Sequence, residues 1–302
     1  MNATPPLPPQ PPAGPPPATG MAALPDGLRF AVGALTAWRP RPRHTQAAAP
    51  APHADRTHRT HHPDRATATL GMRLAPVVGL GLGALTGGAC WVLLALETGW
   101  LLTAVLTVAL LALLTGGRQL EGLSGFADAL AGRRSPAEAL AVARGPGLGR
   151  SGALATLFAV LVQVAAVHEL AGHGRDYAAT AVLVAVLTAR TGVGWACRQL
   201  PAADEGTDGL GARVARTVPT SVALPSAALT ALLAGGLGAL AAGDPGAGAV
   251  IGVSAVVLGL SAAELVLWGA RVRLGGLTEG ALGAVSETVT AVVLVTLVVG
   301  AT

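Results

Sequence analysis

Apolar runs long enough to cross a membrane recur from Leu74 to the end of the chain, and they restrict its fold more than any other feature. A transmembrane helix needs about 20 mostly apolar residues. One run is short and another contains two prolines, so the count of spans carries a margin of one. The sequence therefore predicts an all-α, polytopic membrane bundle of about seven transmembrane helices. The predicted spans are Val77–Leu96, Trp100–Thr115, Ala153–Leu170, Tyr177–Cys197, Val218–Leu240, Gly248–Gly269 and Leu282–Val299.

The distribution of arginine predicts how the bundle is oriented. Only 12% of residues are charged, about half the share of a soluble domain. Apart from Arg190 within the fourth predicted span, the arginines lie in the N-terminal tail and in alternate connections (116–152, 198–217 and 270–281), whereas the other connections hold only Arg175. Because cytoplasmic connections are rich in positive charge, these segments are predicted to lie on the cytoplasmic side of the cell membrane. Arginines scattered in this way form no basic face, so we expect membrane lipid and no nucleic acid as a partner.

Residues 1–66 differ from the rest of the chain and are predicted to be disordered. They combine a proline-rich run with Ala, Arg and His, a composition that buries too little apolar surface to fold. Within them, Leu24–Trp38 is apolar but too short to span, which makes it a candidate interfacial helix. Residues 67–302 are predicted to form the transmembrane catalytic domain.

Carboxylates cluster in the same connections as the arginines, a pattern typical of Mg²⁺-dependent phosphate transfer. Solvated charges at the membrane surface would give the same pattern. If Gln119–Leu130 is helical, Glu121 and Asp128 lie nearly two turns apart on one face. We therefore predict that both face a metal-bound diphosphate. The acidic residues of these connections are Glu121, Asp128, Glu138, Asp204, Glu205, Asp208 and Glu279, with Glu287 just inside the last span.

Four blocks of sequence carry a resemblance to a known family. They read LTGGRQLEGLSGFADAL, ARGPGLGRSG (Ala143–Gly152), TDGLG (Thr207–Gly211) and GGLTEGALGAVSE (Gly275–Glu287). In order and spacing they resemble adenosylcobinamide-GDP ribazoletransferase, also called cobalamin-5′-phosphate synthase. That family reads approximately TGGLHLDGLADTADGL, a KDSRIGxxG-like stretch, EGLG and GGxTGDxLGAxxE. The resemblance extends from roughly Leu24 to the end of the chain.

The resemblance fails at several charged positions. Of the three acids in the first block, Glu121 replaces the first, the second is lost, and Asp128 keeps the third. The second block loses an acid and a base, and the acid of the last block is lost next to Glu279. The positions without the family's acid are Gly125, Gly145 and Gly280.

The resemblance implies a membrane enzyme of vitamin B12 assembly. Such an enzyme joins adenosylcobinamide-GDP to α-ribazole or its 5′-phosphate and releases GMP. It implies Mg²⁺ as cofactor, bound by the two carboxylates of the first block, and Glu287 as a further catalytic residue. Arg118 and Arg144 are expected to bind the diphosphate. Asp208, like Glu287, is expected to orient a substrate or to assist as base.

Three other kinds of protein remain as alternatives. One is a CDP-alcohol-type membrane phosphotransferase, whose DGxxAR start is only echoed by GLSGFADALAGR. The others are a non-catalytic paralogue and a transporter. The missing acids are consistent with a paralogue that has lost activity. The polar residues lie in connections rather than at mid-bilayer, which argues against a transporter. The sequence leaves the oligomeric state open.

Overall fold

The computed structural model of the chain describes residues 24–38, 65–132, 134–145, 147–203 and 209–301. Most of the predicted tail lies outside these residues. Within them the regular structure is helical, apart from one isolated bridge between Ala202 and Leu277. The helices are α1 (Leu24–Leu35), α2 (Arg65–Arg73), α3 (Ala75–Ala95), α4 (Trp100–Leu114), α5 (Arg118–Leu130), α6 (Pro136–Arg144), α7 (Arg150–Gly172), α8 (Arg175–Ala196), α9 (Leu210–Val214), α10 (Thr220–Ala241), α11 (Pro245–Leu274) and α12 (Glu279–Ala301).

Each predicted span falls on one long helix, namely α3, α4, α7, α8, α10, α11 or α12. Six of these are long and apolar enough to cross a membrane alone, while the 15-residue α4 qualifies only together with α5. The two meet at 87°, at Gly116 and Gly117, whose φ angles of 63° and 69° lie in the left-handed region that favours glycine. The predicted all-α, multi-pass membrane bundle is confirmed, and its short second span is one arm of a bent helix pair.

Glycines let α3 and α8 pack backbone to backbone. Gly79, Gly83 and Gly87 recur every four residues and so share one face of α3. A Cβ at Gly83 would lie 2.8 Å from the Leu183 carbonyl oxygen, and one at Gly87 would lie 2.6 Å from that of Ala179. In lipid, apolar side chains gain little by being buried, so close van der Waals contact of this kind holds helices together.

The centre of the bundle is α8, whose most apolar stretch is 78% buried, compared with 22% for α7 and for α10. Polar side chains pair around it. The Arg190 guanidinium donates through Nη1 to Ser286 Oγ at 2.6 Å, and Gln163 Nε2 donates to Glu287 Oε2 at 2.7 Å. Two consecutive residues of α12 thus contact α8 and α7, which fixes the rotation of α12 about its own axis.

Local capping starts α6. The Ser135 N–H donates to the Glu138 carboxylate at 2.9 Å, and the Glu138 N–H donates back to Ser135 Oγ at 3.4 Å. This reciprocal pair is a capping box, and Pro136 occupies the first helical position, where its missing N–H costs no hydrogen bond. The hydrogen bonds from Ser135, the backbone one first, lower the pKa of the Glu138 carboxyl.

Candidate active site

A cavity of about 410 Å³ lies at one end of the bundle. Residues from all three arginine-bearing connections form its wall. They come from α5 and α6, from Ala203 and 209–212, and from 277–280. Among the described residues, its polar and charged side chains are Arg118, Glu121, Arg144, Thr278 and Glu279, and the other described lining residues are small or apolar. The connections predicted to share one side of the membrane therefore meet at one site.

The crossing of α5 and α12 brings the two glutamates into this wall. A Cβ at Gly283 would lie 2.7 Å from the Gln119 carbonyl oxygen and 2.8 Å from Gly122 Cα. The helices can approach this closely only without side chains at the crossing. Glu121 lies in the first turn of α5 and Glu279 begins α12, so the crossing sets both at the cavity.

Arg118 lines the cavity and also anchors α1. Its Nη1 donates to the carbonyl oxygens of Gly33 and Thr36 at 3.0 and 3.3 Å, and its Nη2 donates to that of Ala34 at 2.9 Å. The last carbonyls of a helix have no intrahelical partner, so Arg118 satisfies the end of α1. Among the described residues, this leaves Nε–H and one hydrogen on Nη2 for a ligand.

The other predicted phosphate-binding residues have different outcomes. Arg144 is the last residue of α6, is exposed, and lines the cavity together with residues of α5. Asp208 lies outside the described residues. The structure thus brings Glu121, Arg118 and Arg144 together, and the assignment of their roles stays a prediction.

Asp128 lies in the last turn of α5 and contacts the start of α7. The Gly149 N–H donates to its Oδ2 at 2.8 Å, and the Gly152 N–H donates to its Oδ1 at 2.9 Å. Seven residues of helix rise by about 10 Å, so a side chain on the same face as Glu121 meets a different neighbour. The sequence contained no signal for this partner, because contacts between helices are not visible in one helix's periodicity.

Glu287 lies inside the bundle and not in the wall of the cavity. It is 8% exposed, and its carboxylate accepts the hydrogen bond from Gln163. It is the ninth residue of α12, and sequence reasoning did not identify Gln163 as its partner. This hydrogen bond joins α12 to α7, and the catalytic role of Glu287 stays a prediction.

Two positions at which the family resemblance fails, Gly125 and Gly280, both line the cavity. The acid kept at Asp128 instead contacts α7, next to Gly149 and Gly152 of the second block. Two of the three departures from the family pattern therefore lie in the cavity, whereas the retained Asp128 lies at the junction of α5 and α7.

The donor set of the cavity suits a cation that phosphate helps to bind. Glu121 and Glu279 are the two carboxylates of its described wall, and no group of three or more His, Cys, Asp and Glu side chains able to hold a metal occurs among the described residues. Mg²⁺ is usually bound by one or two carboxylates together with waters and substrate phosphates. Two glutamates beside two arginines fit that mode and not an all-protein cage.

Comparison with known proteins places the chain in a sequence family. The profile of a family described as cobalamin-5-phosphate synthase matches residues 42–298. A protein of Frankia casuarinae is 37% identical over 77% of this chain and 86% of its own length, and one of a Nocardioides species is 36% identical over 71% and 82%. A protein of Citrobacter koseri is 33% identical over 70% and 81%. All three are named adenosylcobinamide-GDP ribazoletransferase. No solved structure matches the chain.

Proposed function

The chain belongs to the cobalamin-5-phosphate synthase family, and from that premise we propose that it joins adenosylcobinamide-GDP to α-ribazole or its 5′-phosphate. A ribose hydroxyl attacks the cobinamide-side phosphorus of the diphosphate. The new O–P bond forms as the P–O bond to GMP breaks, and the hydroxyl proton is lost. The products are adenosylcobalamin or its phosphate, and GMP.

The observation that carries this proposal is the cavity, where two arginines and two glutamates from three family-like blocks share one wall. Transfer of a phosphoryl group depends on holding the reactants in line and on neutralising charge on the phosphate oxygens. Arg144 and the remaining donors of Arg118 would bind the diphosphate. Glu121 and Glu279 are exposed to solvent, so a proton released in the cavity can reach water.

Mg²⁺ is the cofactor we propose, with Glu121 and Glu279 as the carboxylates that would hold it. When bound, the ion would supply positive charge at the diphosphate oxygens. The prediction that Asp128 shares the ion would require its carboxylate to bind metal while accepting two N–H groups. The predicted roles of Asp208 and Glu287 in orienting substrate or accepting a proton are not needed for this arrangement.

We also propose that the protein lies in the cell membrane and that the cavity opens on its cytoplasmic side. The arginine-bearing connections supply its wall, and positive charge is retained on the cytoplasmic side. A nucleotide-activated substrate made in the cytosol would then reach the site without crossing lipid.

The test is direct turnover in membranes. Membranes that contain the chain, and matched membranes that lack it, receive adenosylcobinamide-GDP, α-ribazole 5′-phosphate and Mg²⁺, and the product is followed by mass. We expect cobalamin 5′-phosphate and GMP in equal amounts. Absence of product above the control membranes would overturn the proposal and favour a non-catalytic paralogue. Product formed when a CDP-alcohol is supplied in place of adenosylcobinamide-GDP would favour the CDP-alcohol phosphotransferase family.

A further inference from the structure

The N-terminus of α7 has no capping side chain of its own. The first N–H groups of a helix need acceptors outside the helix, and the residue before the helix usually supplies one from a Ser, Thr, Asp or Asn side chain. In α7 that residue is Gly149, which has no side chain. The acceptors come from α5, because both oxygens of Asp128 accept N–H groups there, from Gly149 at 2.8 Å and from Gly152 at 2.9 Å.

Comparison with α6 shows what this carboxylate does. In α6 two side chains divide the work: Ser135 accepts the N–H three residues on, and Glu138 accepts the N–H of the capping residue. In α7 the same two N–H groups, those of Gly149 and Gly152, are both bound by Asp128. A single carboxylate from another helix thus replaces a complete capping box. Its negative charge also lies at the positive end of the α7 dipole.

The glycines of α7 match this carboxylate sterically. A Cβ at Gly149 would overlap the Asp128 carboxylate, whose atoms are its three nearest neighbours. A Cβ at Gly152 would overlap Asp128 and also approach the Ser124 carbonyl oxygen at 2.6 Å. Gly149 has φ −77° and ψ 171°, an extended backbone open to any residue. The Asp128 carboxylate is therefore the closest obstacle to a side chain at position 149.

We propose that Asp128 is a positioning residue that caps α7 from α5 and is not a ligand of the metal. Asp128 joins the end of α5 to the start of α7, and α6, which carries Arg144, lies between these two helices in the chain. The contact therefore helps to hold Arg144 near Glu121 at the cavity. The capping role stands on the hydrogen bonds and the glycine contacts alone. Only its consequence for turnover rests on the proposed function.

The decisive experiment moves the cap from α5 to α7 itself. Asp128→Ala removes the acceptors, so amide exchange in the peptide 147–153 should become roughly tenfold faster and the melting temperature in detergent should fall by roughly 2–4 °C. Gly149→Ser alone should also lower the melting temperature, because its Cβ meets the carboxylate. In the Asp128→Ala, Gly149→Ser double variant the serine hydroxyl can accept the Gly152 N–H without that overlap. The melting temperature and the slow amide exchange of the wild type should then return.

Gly152→Ala is the matched control, because its clash includes a backbone oxygen of Ser124 that the removal of Asp128 does not relieve. Combined with Asp128→Ala, it should show no rescue. If Asp128→Ala does not fold, Asp128→Asn keeps one acceptor oxygen, and its exchange should lie between those of the wild type and an uncapped helix. Additive losses in the Asp128→Ala, Gly149→Ser double variant would overturn the capping role.

Turnover separates a cap from a metal ligand. The double variant should regain activity with the same Mg²⁺ concentration for half-maximal rate as the wild type. Recovered stability with at least a tenfold higher Mg²⁺ requirement would instead identify Asp128 as a ligand and overturn the proposal. If the wild type itself makes no product, the proposed function fails, and the exchange and melting cycle still decides the capping role.

Discussion

The two ends of α5 carry acidic side chains from one face in different surroundings. Glu121, in the first turn, is exposed and lines a cavity with Arg118 and Arg144. Asp128, in the last turn, is partly buried and accepts two N–H groups of α7. The comparison teaches that the helical face predicts where a carboxylate points, while the neighbouring helix decides whether it is engaged in structure or open to a ligand.

Glu121→Gln changes the end of α5 that lines the cavity and should have the largest effect on turnover. The substitution keeps the shape of the side chain and removes the charge proposed to hold Mg²⁺. Because such electrostatic groups contribute about 10²–10³ in rate, turnover should fall by at least about 100-fold. The melting temperature should stay within roughly 1 °C, since an exposed surface residue contributes little stability. A rate within threefold of the wild type would remove Glu121 from the site.

Gly283→Ala tests whether the cavity end of α5 depends on the close crossing of α5 and α12. The new Cβ would meet backbone atoms of Gln119 and Gly122, which cannot rotate away. We expect a loss of roughly 1–3 kcal/mol, as for other overpacked sites, with a matching loss of activity. Gly81→Ala is the control, because a Cβ there meets nothing within 4 Å. Equal melting temperatures for the two variants would show that the crossing tolerates a side chain.

Gly125→Asp sharpens the comparison by adding a carboxylate between the two ends of α5. The position lines the cavity, although its Cβ would lie a tight 3.2 Å from the Ala143 carbonyl oxygen. One more unit charge about 4 Å from a divalent ion is worth about 2 kcal/mol in water, or a factor of about 30 in Mg²⁺ affinity. The readout is the Mg²⁺ concentration for half-maximal turnover, compared with Gly125→Asn. Equal values for the two variants would contradict the proposed metal position.

Arg134→Ala acts on the structural end of α5 and should have the smallest effect. Its Nη1 donates to the Asp128 carbonyl oxygen at 2.9 Å and to that of Ala131, so it satisfies the C-terminal carbonyls of the helix. A surface hydrogen bond of this kind contributes about 0.5–1 kcal/mol. The expected fall in melting temperature is a few degrees at most, with turnover within twofold. A tenfold loss of turnover would show that this end also serves the chemistry.

Much of the fold could be predicted from the sequence because lipid imposes a simple constraint. Every backbone polar group in a bilayer needs an internal partner, so each long apolar run becomes a helix. The seven predicted spans each fall on a helix for this reason. The 87° bend after α4 was less visible, because it depends on the left-handed backbone of Gly116 and Gly117.

Less of the candidate site could be predicted, because it is built from contacts between helices. The sequence identified Arg118, Glu121 and Arg144 as residues of one site, and these line one cavity. It did not reveal that Arg118 also binds the end of α1, or that Asp128 meets the start of α7. Both partners are backbone groups, which carry no sequence signature.

The pairing of Arg190 with Ser286 has a consequence for how the protein is made. Arg190 is 2% exposed on α8, and its partner lies 96 residues further along the chain, on α12. An arginine raises the cost of inserting a helix by about 2.5–3.5 kcal/mol at the helix centre and by less toward its ends, and Arg190 lies in the C-terminal half of α8. Because α8 precedes α12 in the chain, the guanidinium group gains its Ser286 partner only when α12 has also been placed in the bundle, so the order of this part of the interior depends on α12.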